Sequence, residues 1–276
     1  MLLETIILIT IIILLYLLAI MPKLHRHPDL KKLEGWLYAH RGLHDNHSEA
    51  PENSLTAFSH AVENHYGIEL DVQLTKDFVP VILHDYHLLR ACNVDRRVSE
   101  ITYEELKQYT LFDSKEPIPT LQEALEVIHG QVPLIVELKI PFRAGKTCEK
   151  VSNILDQYQG VYCIESFNPF GLIWYKKYRP DVIRGQLSTD FRREKQEGSK
   201  IQYFILKHLL MNTFSKPDFI AYQYKYRKDL SFTLCRKLYH MKTFAWTIQS
   251  QEQLEENKGY FDHFIFDSFL PQEKSQ

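Results

Sequence analysis

Cysteine is scarce in this sequence, and its spacing suggests no pairing. The 276 residues hold four, Cys92, Cys148, Cys163 and Cys235, with no CxxC among them. Scattered in this way they read as small apolar core side chains, favouring neither redox compartment. No histidine stands at zinc-ligand spacing beside them, so a zinc site is not expected. An excess of one charge is also missing: the net charge is -2, and no basic stripe with interleaved aromatics runs along the chain. Nucleic acid is therefore not expected as a partner. A cleaved secretory leader would need a basic start and a small-residue cleavage site, and neither is present. What remains is ordinary globular composition, 45% apolar and 25% charged, over a length that fits one large domain or two small ones.

One long apolar run stands out. From Leu2 to Met21 only Glu4 and two threonines interrupt it, and Pro22 and Lys23 then break it. About 20 such residues suffice to cross a bilayer as a helix. The expected organisation is an anchor over 1–22, a basic linker over 23–35 and one catalytic domain over 36–276. Lys23, Arg26, Lys31 and Lys32 follow the run and no Lys or Arg precedes it. The positive-inside tendency then predicts a single-pass protein of the cell membrane with its domain in the cytoplasm.

The densest chemistry lies between Gly67 and Asp85, GIELDVQLTKDFVPVILHD. Ile68, Leu70 and Val72 alternate with Glu69, Asp71 and Gln73, so a strand here puts both carboxylates on one face. Like charges that close destabilise each other unless a cation or a shared proton lies between them. A second apolar strand, VPVILH, follows after one turn and ends on His84. Around these segments strands alternate with helical stretches, among them Trp36–Ala39, Pro133–Lys139, Val161–Glu165, Val182–Leu187, Asp218–Tyr222, Thr243–Thr247 and His263–Asp267. A long amphipathic helix is expected after Leu187, ending at Phe214. Such alternation indicates βαβ units and a parallel sheet, and about eight of them close into a TIM-type (β/α)8 barrel of roughly 250 residues. Between Val72 and Val81 there is no room for a crossover helix. The barrel is therefore expected to be distorted near its second and third strands, or to carry an antiparallel strand at its rim.

Active sites of such barrels form at the C-terminal ends of the strands. His40 and Arg41, Glu69 and Asp71, His84, Glu137 and Lys139, Phe167 and Trp246 all fall there. Three carboxylates suit a hard divalent cation, calcium or magnesium. Beside Arg41 and Lys139 such an ion makes a positive spot suited to an anion that gains charge in the transition state, such as a phosphodiester. Two histidines divide acid and base roles near neutral pH.

HRG after the first strand, PENS, ELDV with T-K-D, V-I-L-H-D, E-L-K, PTLQEAL, SFNP and WTIQ together resemble the glycerophosphodiester phosphodiesterase family over nearly all of residues 36–270. The resemblance implies a metal-dependent barrel that hydrolyses glycerophosphodiesters to sn-glycerol 3-phosphate and an alcohol. It implies Glu69, Asp71 and Glu137 as metal ligands and His40 and His84 as the acid/base pair. Arg41 and Lys139 would bind phosphate oxygens, with Glu52 and Asn53 on the glycerol side. Gln249 and Phe266-Asp267 depart from the family's usual Asn and Thr-Asp, which leaves leaving-group preference open. The anchor admits either a deacylated glycerophosphodiester or a lysophospholipid as substrate. Competing expectations are a lysophospholipase D-type or other phospholipase-like phosphodiesterase, and a catalytically silent lipid-binding barrel.

Overall fold

The computed structural model describes residues 1–141, 144–196 and 198–272. The last four residues of the expected domain, and Glu197 within the expected long helix, lie outside them.

In chain order the elements are α1 (Leu2–Ile20), β1 (Leu37–His40), α2 (Leu55–Glu63), β2 (Gly67–Leu74) and β3 (Pro80–Ile82). The short helices α3 (Leu89–Cys92) and α4 (Tyr103–Leu106) follow, then α5 (Leu121–Ile128), β4 (Leu134–Leu138), α6 (Ala144–Leu155), β5 (Tyr162–Ser166) and α7 (Pro169–Tyr178). The chain continues through β6 (Arg184–Ser188), α8 (Lys200–Lys207), α9 (Asn212–Ser215) and β7 (Phe219–Gln223). It closes with α10 (Leu230–Lys237), β8 (Lys242–Ile248), α11 (Gln251–Asn257) and β9 (His263–Phe266).

Strand β2 shows why the sheet closes. Its apolar side chains Ile68, Leu70 and Val72 are fully buried against the helical layer. Its polar alternates are buried as well, Glu69 at 2% and Asp71 at 1% exposure, because they face the barrel interior. Parallel pairing runs β1-β2-β4-β5-β6-β7-β8-β9 and returns to β1, giving eight staves. The ninth strand, β3, pairs antiparallel with the end of β2, Val72 opposite Ile82. This is the rim strand that the short connection demanded. The residues after it build a small satellite core around Leu88, Val98, Leu106 and Leu111.

One difference from the sequence reading has a physical cause. The long helix expected after Leu187 and ending at Phe214 begins only at Lys200 and is two pieces, α8 and α9, joined through Leu209 at a left-handed φ of 54°. Part of the stretch expected as a basic linker packs on the barrel. Leu33 is fully buried within the interior cluster that holds Tyr38, Phe219 and Phe244, so it plugs the base of the barrel.

Candidate active site

The turn after β1 brings the first residues into place. Arg41 takes a left-handed φ of 58° and Gly42 one of 84°. A Cβ on Gly42 would stand 2.9 Å from the Ala57 carbonyl carbon, so only glycine lets the turn lie against α2. The Arg41 backbone N–H thereby donates to Glu69 Oε2 at 3.1 Å. Its guanidinium reaches Glu52 Oε1 at 2.7 Å and lies 3.3 Å from Asp71 Oδ2.

Three carboxylates converge from two neighbouring strands. Asp71 on β2 is in register with Glu137 on β4, and Glu69 lies one inward position back along β2. One oxygen from each of Glu69, Asp71 and Glu137 lies within 4.8 Å of the others. Lys139 Nζ bridges Asp71 Oδ1 at 3.0 Å and Glu137 Oε1 at 2.8 Å. Burial, then the Asp71 and Glu137 charges, push the Glu69 carboxyl well above the usual carboxylate range. Burial and Asp71 likewise raise Glu137 to about 7 against the pull of Lys139. Burial also opposes ionisation of Asp71, but Lys139, His84 and Arg41 outweigh it and hold that group low. Three buried oxygen ligands on one small space, two of them resisting ionisation through burial and the neighbouring Asp71 charge, form a donor set that fits a hard divalent cation.

An imidazole stands on either side. His40 Nδ1 meets Asp267 Oδ2 at 3.0 Å, and its Nε2 lies 4.0 Å from Glu69 Oε2. His84 Nδ1 meets Asp85 Oδ1 at 2.5 Å, and Asp85 in turn receives Arg90 Nε at 2.6 Å. Burial and Arg41 lower His40 to about 4, against the upward pull of Asp267. Burial and Lys139 lower His84 too. Both rings, with Arg41, Glu69, Glu137 and Lys139, line one cavity of about 110 Å³.

Of the other residues singled out in the sequence, Phe167 and Trp246 line the same cavity, their rings edge to face at 5.7 Å. The Trp246 indole N–H is buried without a partner. Glu52 and Asn53 stand behind the cavity. Both Glu52 oxygens are taken, by Arg41, Arg90 and Asn46. Asn53 donates from Nδ2 to Asp71 Oδ2 at 2.9 Å.

Sequence reasoning missed Glu165 and Arg90. Glu165 on β5 is in register with Glu137, is 1% exposed, lines the cavity and leaves Oε2 unpartnered. Burial and Glu137 push its carboxyl well up. Its signal was its place on the fifth strand, directly beside Glu137 once the strands are aligned. Arg90 carried no such signal, since only the fold of the satellite core brings it to Glu52.

The family described as the glycerophosphoryl diester phosphodiesterase family matches residues 40–262. A glycerophosphodiester phosphodiesterase of Bacillus altitudinis is 32% identical over 166 residues, covering 56% of this chain and 66% of that one. One of Caldanaerobacter subterraneus is 37% identical over 163 residues, covering 54% and 65%. The chain thus spans just under two thirds of the length of these curated relatives. Among solved structures, an Oleispira antarctica phosphodiesterase in complex with the product sn-glycerol-3-phosphate superposes with a TM-score of 0.69 at 26% identity, covering 86% of this chain and 94% of that one.

Proposed function

The chain belongs to the glycerophosphoryl diester phosphodiesterase family, and from that premise we propose that it hydrolyses glycerophosphodiesters to sn-glycerol 3-phosphate and an alcohol. The observation that carries this reading is one cavity lined by two aspartate-backed imidazoles and two cations, with Glu69 and Glu137 of the three clustered carboxylates in its wall and Asp71 directly beside them.

Glu69, Asp71 and Glu137 would hold a divalent ion, calcium or magnesium. When bound, such an ion supplies Lewis-acid withdrawal of charge from phosphate oxygens. Arg41 and Lys139 bind those oxygens from fixed positions, Arg41 braced by Glu52 and Lys139 by its two carboxylates. Asp267 and Asp85 accept from the Nδ1–H of His40 and His84, which leaves each Nε2 for the reacting atoms. One imidazole takes the proton of the attacking oxygen, water or the glycerol 2-hydroxyl. The other returns a proton to the departing alcohol. Intramolecular attack by the 2-hydroxyl gains an orientation advantage over water but leaves a cyclic phosphate, which water then opens to glycerol 3-phosphate with the two imidazoles exchanging their acid and base roles. Trp246, with its buried and unpartnered indole N–H, and Phe167 form an aromatic wall of the cavity.

We read α1 as a membrane anchor, and place the barrel on the cytoplasmic side by the basic residues that follow it. Release of glycerol 3-phosphate from glycerophosphocholine and glycerophosphoethanolamine tests the activity. We expect turnover abolished by a chelator, restored by calcium or magnesium, and reduced about 10²-fold or more in His40→Ala and His84→Ala. Release of choline and lysophosphatidic acid from lysophosphatidylcholine, with no turnover of glycerophosphocholine, would favour a lysophospholipase D-type reaction, and no release from any of these a silent barrel.

A further inference from the structure

Helix α1 does not hang freely from the barrel; its last turn is clamped along α10. Tyr16 Oη shares a hydrogen bond with Ser231 Oγ at 2.9 Å, in the first turn of α10. One turn further down both helices, Cys235 Sγ donates to the Ile20 carbonyl at 3.5 Å, and Asn212 Nδ2 donates to the same oxygen at 3.2 Å. The chain then reaches the base of β7, where the Lys23 backbone N–H donates to Pro217 O at 3.2 Å and its Nζ pairs with Asp218 at 3.2 Å.

The sense of this path is fixed by the fold. Helix α10 leaves the C-terminal end of β7, so its first turn lies at the level of the catalytic mouth and its last turn at the opposite end. Helix α1 descends with it, from Tyr16 at mouth level to Lys23 at the base. Its free part, residues 2–15, therefore projects beyond the mouth.

That free part is apolar and exposed along its length, whereas Ile20 in the clamped turn is fully buried. Where such a helix enters a bilayer the clamped turn stands at the membrane interface, and the mouth with it. The rim around the clamp has the matching surface. Ile201, Phe204 and Leu230 are 75%, 56% and 63% exposed there. Helix α8, which carries the first two, is held at the mouth by Ser188 Oγ, the end of β6, donating to Leu206 O at 2.9 Å. Beside them Arg192, Lys195, Lys200, Lys225 and Lys228 are exposed. Apolar side chains ringed by cations suit an interface containing anionic lipid.

We propose that the barrel sits with its catalytic mouth against the bilayer, docked through Ile201, Phe204 and Leu230, and draws its diester from the membrane surface with the acyl chain still in the lipid. This rests on α1 spanning the membrane and extends the proposed activity from deacylated glycerophosphodiesters to a lysophospholipid-like substrate as well, cut at the same bond to leave the acylated glycerol phosphate.

The test uses the full chain in phosphatidylcholine/phosphatidylglycerol vesicles carrying nitroxide-labelled lipid. A bimane is attached at Leu230→Cys or, at the other end of α10, at the equally apolar Leu238→Cys, each in a Cys92→Ser background. We expect quenching at least twofold stronger at 230 than at 238. Equal or reversed quenching would overturn the docking. In parallel, Ile201→Glu/Phe204→Glu is expected to lower turnover of vesicle-borne lysophosphatidylcholine about tenfold and leave soluble glycerophosphocholine turnover unchanged. Unchanged turnover of both diesters, or equal loss on both, counts against the proposal. If the parent protein hydrolyses neither, the functional reading fails alone, and the quenching ratio still decides the docking.

Discussion

His40 Nδ1 lies 3.0 Å from Asp267 Oδ2, across 227 positions of sequence. The contact joins the first strand to the residue after the last, so it exists only when the barrel has closed. Its chemical effect is to keep the proton on Nδ1 and the lone pair on Nε2, the nitrogen on the Glu69 side. The Asp267 carboxylate also faces His44 Nε2 at 3.4 Å and accepts from Ser268 Oγ at 2.9 Å, and His40 and His44 hold it low against the effect of burial. Replacing it with Asn keeps the shape but frees the ring to take the other tautomer. Asp267→Asn is expected to lower kcat about 10²-fold, with KM for a glycerophosphodiester changed far less. Steady-state kinetics with kcat within twofold of the parent would remove Asp267 from the acid–base apparatus.

The carboxylate cluster predicts a stability response that does not depend on turnover. An ion that binds the folded chain alone stabilises it by about 2.7 kcal/mol at a hundred times its Kd. For a domain of this size that corresponds to a rise in Tm of about 5 °C or more. Calcium or magnesium should produce such a rise in the parent protein, and Glu137→Gln should lose at least half of it. An equal rise in the variant would place the ion elsewhere.

Much of this was legible in the sequence, because one-dimensional alternation maps directly onto a strand. Glu69 and Asp71 share a face by parity alone, and the missing crossover between Val72 and Val81 already required an irregular third strand. Spacing along one chain says nothing of register between strands, which is why Glu165 was passed over although it stands beside Glu137. The break between α8 and α9 was hidden for a different reason. Helical periodicity runs through both pieces, and what separates them is the left-handed Leu209. The clamping of α1 was equally invisible, since hydropathy reads the whole run as lipid-facing and Tyr16 as one more apolar residue.

Glu52 yields a prediction with a definite pH sign. It is 3% exposed, and Arg90 and Arg41 hold its carboxyl down at about 2 although burial opposes them. A carboxylate with a depressed folded pKa stabilises fully above its unfolded value of about 4.3, and that contribution is lost as pH falls toward 2. Arg90 is 42% exposed, so solvent screens part of the interaction. Glu52→Gln is therefore expected to cost about 1–2 kcal/mol in urea unfolding at pH 7. The gap to the parent should narrow at pH 3. A gap independent of pH would assign the loss to packing rather than charge.

Beneath the carboxylates the barrel is filled by rings, and one glycine makes room for them. Gly185 on β6 pairs in register with Phe219 on one side and Glu165 on the other. A Cβ there would lie 2.1 Å from Phe219 Cε2 and Cζ. Phe219 cannot retreat, because its ring packs on Phe244 at a centroid distance of 4.5 Å and is fully buried. Overpacking of this kind costs about 1–3 kcal/mol. Gly185→Ala should lower stability by that much, and Phe219→Leu should lower it by a comparable amount through lost packing. Together they should cost clearly less than the sum, because the smaller side chain vacates the space the methyl needs. Urea unfolding of the two single variants and the double variant measures the difference. Simple additivity would mean that β6 shifts instead of Phe219. Glu165, its register neighbour, would then move with the strand, and the cavity's carboxylate spacing would change along with stability.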